Sequence, residues 1–417
     1  MITTPNRGRL PATVGFVVAS VALVLVFVSA GTPIPLYNTY RVEDALTDAD
    51  FSLVTAVYLG CAAISLLFLG RLSDHLGRRP VAVVALLSSA LGVGCMLAVD
   101  SVGPLLLGRV FQGLACGMAS SALGALVIDS APPHPRWLSA VITSAAPALG
   151  IPFGAMMTGV LADFAPDPTH LTYTIVLVLL VGSAVGIALG PETVARTTLG
   201  RAAASLRPRI VVPAGTGRRM TAMAGLILAT WSVGGFYQAF GPSIASAHLG
   251  SDDVLVAAAV FGSFTVLNLL GGPITARLMP ATAVRLGALT YLACVAGILA
   301  SLSAGAIVPF LVISLVCGIT QGIGQTGGMR SLLPDTSPGD RAGLLATVFL
   351  VNYASAAVPS FVAGRFAGHV PLMAIALGYG VLALVGVTVA VALTGNPVNR
   401  PVLTRGAPVR AESVTDR

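Results

Sequence analysis

The chain has 417 residues, of which 55% are hydrophobic and only 9% are charged, and its mean hydropathy is +0.90. A soluble globular domain is about one quarter charged, so this composition excludes a soluble body of this size and indicates that lipid surrounds most of the chain. The pI of 9.5 does not indicate nucleic-acid binding, because the arginines lie between apolar stretches instead of on one basic face.

Twelve apolar stretches are long enough to cross a bilayer as helices, which takes about twenty residues each. They are predicted at residues 12–34, 51–70, 80–99, 102–128, 138–162, 170–190, 221–245, 253–276, 282–303, 306–329, 342–366 and 371–394. None shows the alternation of barrel strands, so the predicted fold class is an all-α integral membrane protein with twelve transmembrane helices. The first stretch follows Arg7 and Arg9 but is too long for a signal peptide, and we expect an uncleaved helix.

The loop between the second and third spans, GRLSDHLGRRP at residues 70–80, concentrates four charges and a histidine in eleven residues. Two helices must reverse direction here within about ten residues, and Gly70 and Gly77 supply the tight backbone that such a turn needs. The arginines of the loop hold it at one face of the membrane, and Asp74 needs a cationic partner there.

Arginine is the basic residue throughout, and its distribution predicts the topology. With the N-terminus in the cytoplasm, 20 of the 23 arginines fall on cytoplasmic loops and tails, whereas the outer side receives Arg41 and Arg365. This asymmetry predicts that both termini are cytoplasmic. The acids Glu43, Asp44, Asp48 and Asp50 lie in the first outer loop.

A long Pro-, Gly- and Arg-rich segment divides the spans six and six. The predicted organisation is a first six-helix bundle at 1–190, a cytoplasmic linker at 191–220, a second bundle at 221–394 and a cytoplasmic tail at 395–417. The halves resemble each other weakly, since GRVFQGLACGM in span 4 is echoed about 200 residues later by CGITQGIGQTGGM in span 10. A repeat of two six-helix halves is one transporter architecture, with substrate bound near mid-membrane between them.

The loop at 70–80 resembles the signature between helices 2 and 3 of the major facilitator superfamily, G-x-L-a-D-r-x-G-R-[RK]. The matching residues are Gly70, Leu72, Asp74, Gly77, Arg78 and Arg79, whereas His75 stands where the family usually has arginine. The resemblance extends to the twelve spans and their division, and within the superfamily the chain resembles the drug and metabolite efflux branch (arabinose-efflux-permease-like). It implies a transporter that works by alternating access, and not an enzyme.

The resemblance implies a conformational latch at this loop, which in the family packs beneath helix 11 in the outward-facing state. A family aspartate often ends helix 4, and Asp129 stands at that position. We therefore expect a cluster of Asp74, Arg78 and Asp129. The alternative is that these charges only set the topology.

Arg109 is the one charge well inside a span, in a stretch, RVFQG, that resembles the family's helix-4 motif R-x-x-Q-G. The resemblance implies a part in proton coupling for Arg109, Gln112 and Gly113, and we expect Arg109 in the outer half of the central cavity. The alternative is an arginine bonded to carbonyls or reaching the outer headgroups.

Span 5 contains Gly150, Pro152 and Gly154, a partial match to the family's antiporter motif G-x-x-x-G-P-x-x-G-G. The proline is displaced by one position and Ala155 replaces the last glycine. The match suggests an antiporter, although small residues also allow close packing of any two membrane helices.

Polar and aromatic residues at mid-span are predicted to face the cavity, because each would be costly against lipid. They are Gln112, Trp231, Tyr237, Gln238, Asn268, Gln321, Gln325, Asn352 and Tyr353. Such a lining suits an amphiphilic organic molecule better than a sugar or a phosphate. Any of these side chains could instead bridge two helices.

No cofactor and no metal site are predicted. The five cysteines lie in apolar stretches without a CxxC pair, and GIGQTGG in span 10 matches a dinucleotide motif by letters alone, without a βαβ context. No aspartate or glutamate lies deep in a span, so the sequence leaves open whether protons are coupled and through which carboxylate.

The leading interpretation is proton-linked efflux of small amphiphilic organic compounds, with a small-molecule substrate and protons as partners. The chain would act as a monomer in the bacterial cytoplasmic membrane. One alternative is an uptake permease or facilitator of the same fold, which the missing deep carboxylate fits. Another is a membrane sensor or accessory protein, which the short tails disfavour.

Overall fold

The computed structural model describes residues 11–135, 137–195, 197–208, 210–337 and 340–395. Within them, twelve helical segments are long and apolar enough to cross a membrane, which confirms the predicted all-α fold with twelve spans. Several arginines that entered the topology argument lie outside the described residues, namely Arg7, Arg9, Arg136, Arg196, Arg209 and the four of the C-terminal tail.

The first half contains α1 (Ala12–Gly31), α2 (Tyr37–Glu43), α3 (Asp48–Ile64), α4 (Ser73–Leu76), α5 (Arg78–Met96), α6 (Val102–Asp129), α7 (Leu138–Phe164) and α8 (Pro168–Leu189). After the linker helix α9 (Leu199–Ser205), the second half contains α10 (Gly217–Ala247), α11 (Val254–Thr265), α12 (Gly271–Thr275), α13 (Pro280–Ser303), α14 (Ile307–Leu332), α15 (Arg341–Phe366) and α16 (Leu372–Leu393). Each half has its own apolar core, and few residues, such as Ile34 and Ala356, belong to the core of the opposite half.

The first span ends three residues earlier than predicted. Gly31 is its last residue, and Pro33 and Pro35 follow. Neither proline has a backbone N–H to donate to a carbonyl of the preceding turn, which accounts for the early end. The short helices α2, α4 and α9 were not anticipated from the sequence.

Two spans predicted to be continuous are interrupted. In the second span, α3 passes into a π-helical turn at Ser65–Leu69, and in the eighth, a 3-10 turn at Asn268–Leu270 separates α11 from α12. Pro273 lacks the N–H that would bond to the carbonyl of Leu269, so a regular α-helix cannot continue there. Both interruptions lie at corresponding places in the two halves, where the helices line the central cavity.

Glycines bring the interrupted helices close to their neighbours. A Cβ on Gly113 of α6 would lie 2.5 Å from the carbonyl oxygen of Tyr58, and one on Gly322 of α14 would lie 2.0 Å from that of Asn268. The weak sequence repeat around QG therefore corresponds to the same close helix contact in each half.

The two ends of the bundle differ in how the halves meet. At the end that carries α2, which we call the sealed end, a Cβ on Gly364 would lie 2.7 Å from the Cβ of Ser52, and one on Gly159 would lie 2.8 Å from the Cα of Leu255. These approaches join α15 to α3 and α7 to α11, across the boundary between the halves. The opposite end carries the linker and is called the linker end.

Candidate functional site

A central cavity of about 720 Å³ lies between the two halves and extends from mid-span to the linker end. Its walls include Phe27, Tyr58 and Ile151 at mid-span, and Gly70, Arg71 and Gly343 beside the loops of the linker end. Because the sealed end is closed by the contacts between halves, the cavity opens on one side of the bundle. This is the arrangement of a transporter with its binding site accessible from the linker end.

Six of the predicted cavity residues line this space, namely Trp231, Gln238, Asn268, Gln321, Gln325 and Tyr353. The rings of Trp231 and Tyr353 meet edge to face, with their centroids 5.4 Å apart, at the boundary of the halves.

Three other residues were wrongly placed in the cavity. Tyr237 is fully buried within the second half, where its hydroxyl lies 2.6 Å from the Oγ of Ser314 and its ring stacks on Phe264. Asn352 is also buried and lies outside the cavity lining. Gln112 donates from Nε2 to the carbonyl oxygen of Ser29, 2.7 Å away, and so bridges two helices.

Arg109 is fully buried and also lies outside the cavity, contrary to expectation. Its Nη1 donates to the carbonyl oxygen of Ala30 at 2.7 Å and to Oε1 of Gln112 at 3.2 Å, and its Nη2 donates to the hydroxyl of Tyr37 at 2.6 Å. The guanidinium also lies 5.2 Å from the ring centre of Tyr58, a cation–π distance. Its partners are carbonyl, amide, hydroxyl and ring groups of the first half.

The predicted charge cluster at the linker end has one close ion pair and one distant neighbour. Arg78 Nη1 lies 2.7 Å from Oδ2 of Asp129, whereas its Nη2 lies 3.8 Å from Oδ1 of Asp74. The Asp74 side chain is 57% exposed, and that of Asp129 is 28% exposed. The structure thus ties α5 to the end of α6 through Arg78 and leaves Asp74 facing solvent.

Glu192, at the start of the linker, is a functional candidate that the sequence analysis missed. Its carboxylate accepts hydrogen bonds from the backbone N–H of Arg78 at 2.9 Å and of Arg79 at 3.2 Å, the first two residues of α5. Gly77 has φ of 101°, and a Cβ there would lie 2.5 Å from Oε2 of Glu192. Glycine at this position of the signature therefore allows both the left-handed turn and the approach of the carboxylate.

The linker continues along the same loop. The backbone N–H of Thr197 donates to the carbonyl oxygen of His75 at 2.8 Å, and Nδ1 of His75 lies 3.2 Å from Oγ1 of Thr197. His75, the departure from the family pattern, thus contacts the segment that joins the halves.

The glycines of the antiporter-like motif contact α1. A Cβ on Gly154 would lie 2.1 Å from the carbonyl oxygen of Val28, and one on Gly150 would lie 2.7 Å from the Cβ of Phe27. Pro152 faces the second half, 3.7 Å from the position of a Cβ on Gly262. The motif therefore sets the separation of α7 from α1, beside the cavity.

A polar cluster at the sealed end was also missed. Arg41 of α2 forms an ion pair with Asp48, and its Nη2 donates to Oγ of Ser243 in α10 at 2.6 Å. The hydroxyl of Ser243 donates to Asp48 at 2.6 Å, and Asn38 donates to the carbonyl oxygen of Pro242 at 3.0 Å. The sequence contained one signal for this cluster. Arg41 is one of two arginines predicted on the outer side of the membrane, where arginine is rare.

A buried tyrosine pair supports α2 beside this cluster. The hydroxyls of Tyr40 and Tyr173 lie 2.6 Å apart, and burial raises the pKa of Tyr40 well above its usual value. The Tyr40 hydroxyl therefore stays neutral and acts as a hydrogen-bonding partner only. Among the described residues, no group of three or more His, Cys, Asp and Glu side chains could hold a metal ion.

A family model described as Major Facilitator Superfamily matches residues 19–359. Among curated proteins, the chain is 27% identical over 125 residues to the quinolone resistance protein NorA of Staphylococcus aureus, a match that covers 29% of this chain and 32% of NorA. It is 32% identical over 117 residues to the multidrug resistance protein MdtL of Klebsiella pneumoniae, covering 28% of this chain and 30% of MdtL. The chain thus aligns with about a third of the length of these relatives.

Solved structures share the whole fold. A crystal structure of the nucleoside transporter NupG matches with a TM-score of 0.70 at 12% identity, covering 91% of this chain and 100% of that one. A POT family transporter in complex with 5-aminolevulinic acid matches with a TM-score of 0.70 at 11% identity, covering 94% and 98%. Identities this low show a common fold and carry no information on the substrate.

Proposed function

The chain belongs to the Major Facilitator Superfamily, a family of transporters, and we propose that it exports small amphiphilic organic compounds in exchange for protons. The observation that carries this proposal is the central cavity, which has largely apolar walls, amide groups at mid-span and an opening at the linker end. The partial similarity to two drug resistance proteins supports export over import.

The direction of transport rests on the topology. The chain is a multi-pass membrane protein, and we place its termini and linker in the cytoplasm because the arginines concentrate at that end. The cavity would then receive its substrate from the cytoplasm or from the inner leaflet of a bacterial cytoplasmic membrane. Opening of the sealed end, with closure of the linker end, would release it outside, and one chain suffices for this cycle.

Proton linkage is assigned to the ends of the bundle, since no carboxylate lies deep in a span. Asp48 joins the two halves at the sealed end through Arg41 and Ser243. Loss of these contacts would favour opening to the outside.

Facilitated or uptake transport is the second candidate, and the missing deep carboxylate favours it. Everted membrane vesicles separate the two. With respiration acidifying the vesicle lumen, an exporter that exchanges protons accumulates an uncharged fluorescent amphiphile such as Nile red, and a protonophore abolishes the accumulation. A facilitator equilibrates the compound with and without the gradient, and a proton-driven uptake permease concentrates it in right-side-out vesicles only. Vesicles that lack the protein give the background.

A further inference from the structure

The two walls of the central cavity offer different hydrogen-bonding groups. On the wall from the first half, four hydroxyl groups donate to carbonyl oxygens of their own helices at 2.7–2.9 Å. They belong to Ser120, Ser121, Thr143 and Ser144. Because these donors are already used, the first-half wall offers a bound molecule hydrocarbon and aromatic surface and hydroxyl oxygens that can only accept.

The wall from the second half carries polar atoms without partners. Nε1 of Trp231, Oε1 of Gln321 and Nε2 of Gln325 are buried and have no hydrogen-bond partner in the part of the chain that the structure describes. Gln321 is only 8% exposed. An unpaired buried polar group is unfavourable, so a bound molecule that forms hydrogen bonds with these atoms removes that cost.

The three unpartnered groups belong to two helix faces. Gln321 and Gln325 are four residues apart on α14 and therefore lie one turn apart on the same face. Trp231 and Gln238 share a face of α10 with Gly234 between them, and all three residues line the cavity.

Charge is confined to the mouth of the cavity. Its lining contains neither aspartate nor glutamate among the described residues, and its single cation, Arg71, is exposed at the linker end. A charged group drawn to mid-span would lose its hydration without gaining an opposite charge, which is strongly unfavourable.

Building on the proposed function, we infer that the substrate is uncharged and has an apolar body and one carboxamide-like group. The group accepts from Trp231 Nε1–H and from the amide of Gln325, and donates to the amide oxygen of Gln321. Its apolar body lies against the first-half wall. The oxygen and nitrogen of each glutamine amide can exchange places, so the same pair also fits a lactam or an imide.

Direct binding of three matched probes tests this inference in the purified full-length protein. The chain has two tryptophans, so Trp137→Phe, a change at an exposed position, leaves Trp231 as the sole tryptophan reporter. The probes are biphenyl-4-carboxamide, biphenyl-4-carboxylate and biphenyl-4-yl-trimethylammonium. We expect the carboxamide to bind at least about tenfold more tightly than either ion, as one unpaired charge or one lost set of hydrogen bonds implies.

Variants assign the preference to the second-half wall. Gln321→Leu and Gln325→Leu should each weaken carboxamide binding about fivefold to tenfold, whereas Ser121→Ala, which removes a hydroxyl already bonded to its own helix, should change it less than about twofold. Gln321→Glu should reverse the order of the affinities, so that the ammonium probe binds more tightly than the carboxamide. An unfolded variant cannot give this outcome.

Equal binding of the ammonium and carboxamide probes by the wild-type protein would overturn the inference. So would unchanged carboxamide affinity in both leucine variants. Because binding is measured without a gradient, a failure of proton-linked export in vesicles leaves this result intact, and a failure here leaves export of another class of substrate intact.

Discussion

Arg109 donates a hydrogen bond from Nη1 to the carbonyl oxygen of Ala30 at 2.7 Å, at the end of α1. The last carbonyl groups of a helix have no partner within it and carry a partial negative charge. A buried guanidinium therefore has a helix terminus as its counter-charge. Gln112 binds the neighbouring carbonyl, that of Ser29, so α6 caps the end of α1 with two side chains.

Arg109→Lys should keep part of the transport activity, and Arg109→Gln should lose nearly all of it. An ammonium keeps the charge at the end of α1 but cannot reproduce the planar fork that joins Ala30 to Tyr37. Glutamine loses the charge, and each charged hydrogen bond lost costs about 1.5–3 kcal/mol. Transport in vesicles and the melting temperature, both at matched expression, measure the effect.

Normal transport by the glutamine variant between pH 6 and 8 would show that transport does not require Arg109. A loss of melting temperature that accompanies the loss of transport would identify it as an anchor of α1. Loss of transport at unchanged melting temperature would instead favour the coupling role that the family resemblance implies.

Asp129→Asn and Asp74→Asn should have different effects, although both residues belong to one predicted cluster. Asp129 forms a close, partly buried pair with Arg78, so its loss should lower the melting temperature. Asp74 is largely exposed and 3.8 Å from Arg78, and exposed pairs contribute about 0–1 kcal/mol. We expect Asp74→Asn to keep the melting temperature and to cripple transport. Asp74 would meet its partner only in the outward-facing conformation, in which the loop packs beneath helix 11.

Transport at the wild-type rate in Asp74→Asn would leave the signature loop as a topology signal. A lowered melting temperature in this variant would contradict the weak contact that the structure gives it.

The sequence was sufficient for the number of spans and for part of the cavity lining, because lipid imposes a length and an apolar composition on each helix. The sequence was less informative about the direction in which each side chain points. Tyr237 and Gln238 are adjacent in sequence, yet the first is fixed to Ser314 inside the bundle and the second lines the cavity. Adjacent residues of a helix point about 100° apart, so they lie on different faces. The faces of these helices are almost equally hydrophobic, and the sequence therefore does not show which face lines the cavity.

Glu192 shows a second kind of limit. Its role depends on a contact with Arg78 across 114 residues, and a carboxylate just after the last apolar residue of a half is expected there for solubility alone. Only the folded chain shows that this carboxylate caps α5.

Gly154→Ala should impair both stability and transport. The added methyl group would lie 2.1 Å from the backbone oxygen of Val28, and a backbone atom cannot move aside without displacing α1 from α7. Gly182→Ala in α8 is the matched control, because a Cβ at Gly182 meets no atom within 4 Å. Thermal melting and vesicle transport of the two variants should differ clearly, and equal behaviour would refute the packing role of the motif.

Asp48→Asn should shift the protein towards a conformation that is open at the sealed end. The neutral amide weakens the pair with Arg41, and the cluster is the polar connection between α2, α3 and α10 at that end. Spin labels on cysteines introduced at Glu43 and Ala247, in a background without the five native cysteines, report the separation of the halves. We expect the variant to increase the population at longer distance.

Asp167→Asn provides the control for this measurement. Asp167 is also an acid of the same end, but its side chain is 67% exposed and pairs with His170 of its own half. Its neutralisation removes one negative charge without touching a contact between halves, so the distance distribution should remain that of the wild type. An equal shift of the distance distribution in Asp167→Asn would show that the change follows from the lost charge and not from the contact between Asp48 and Ser243.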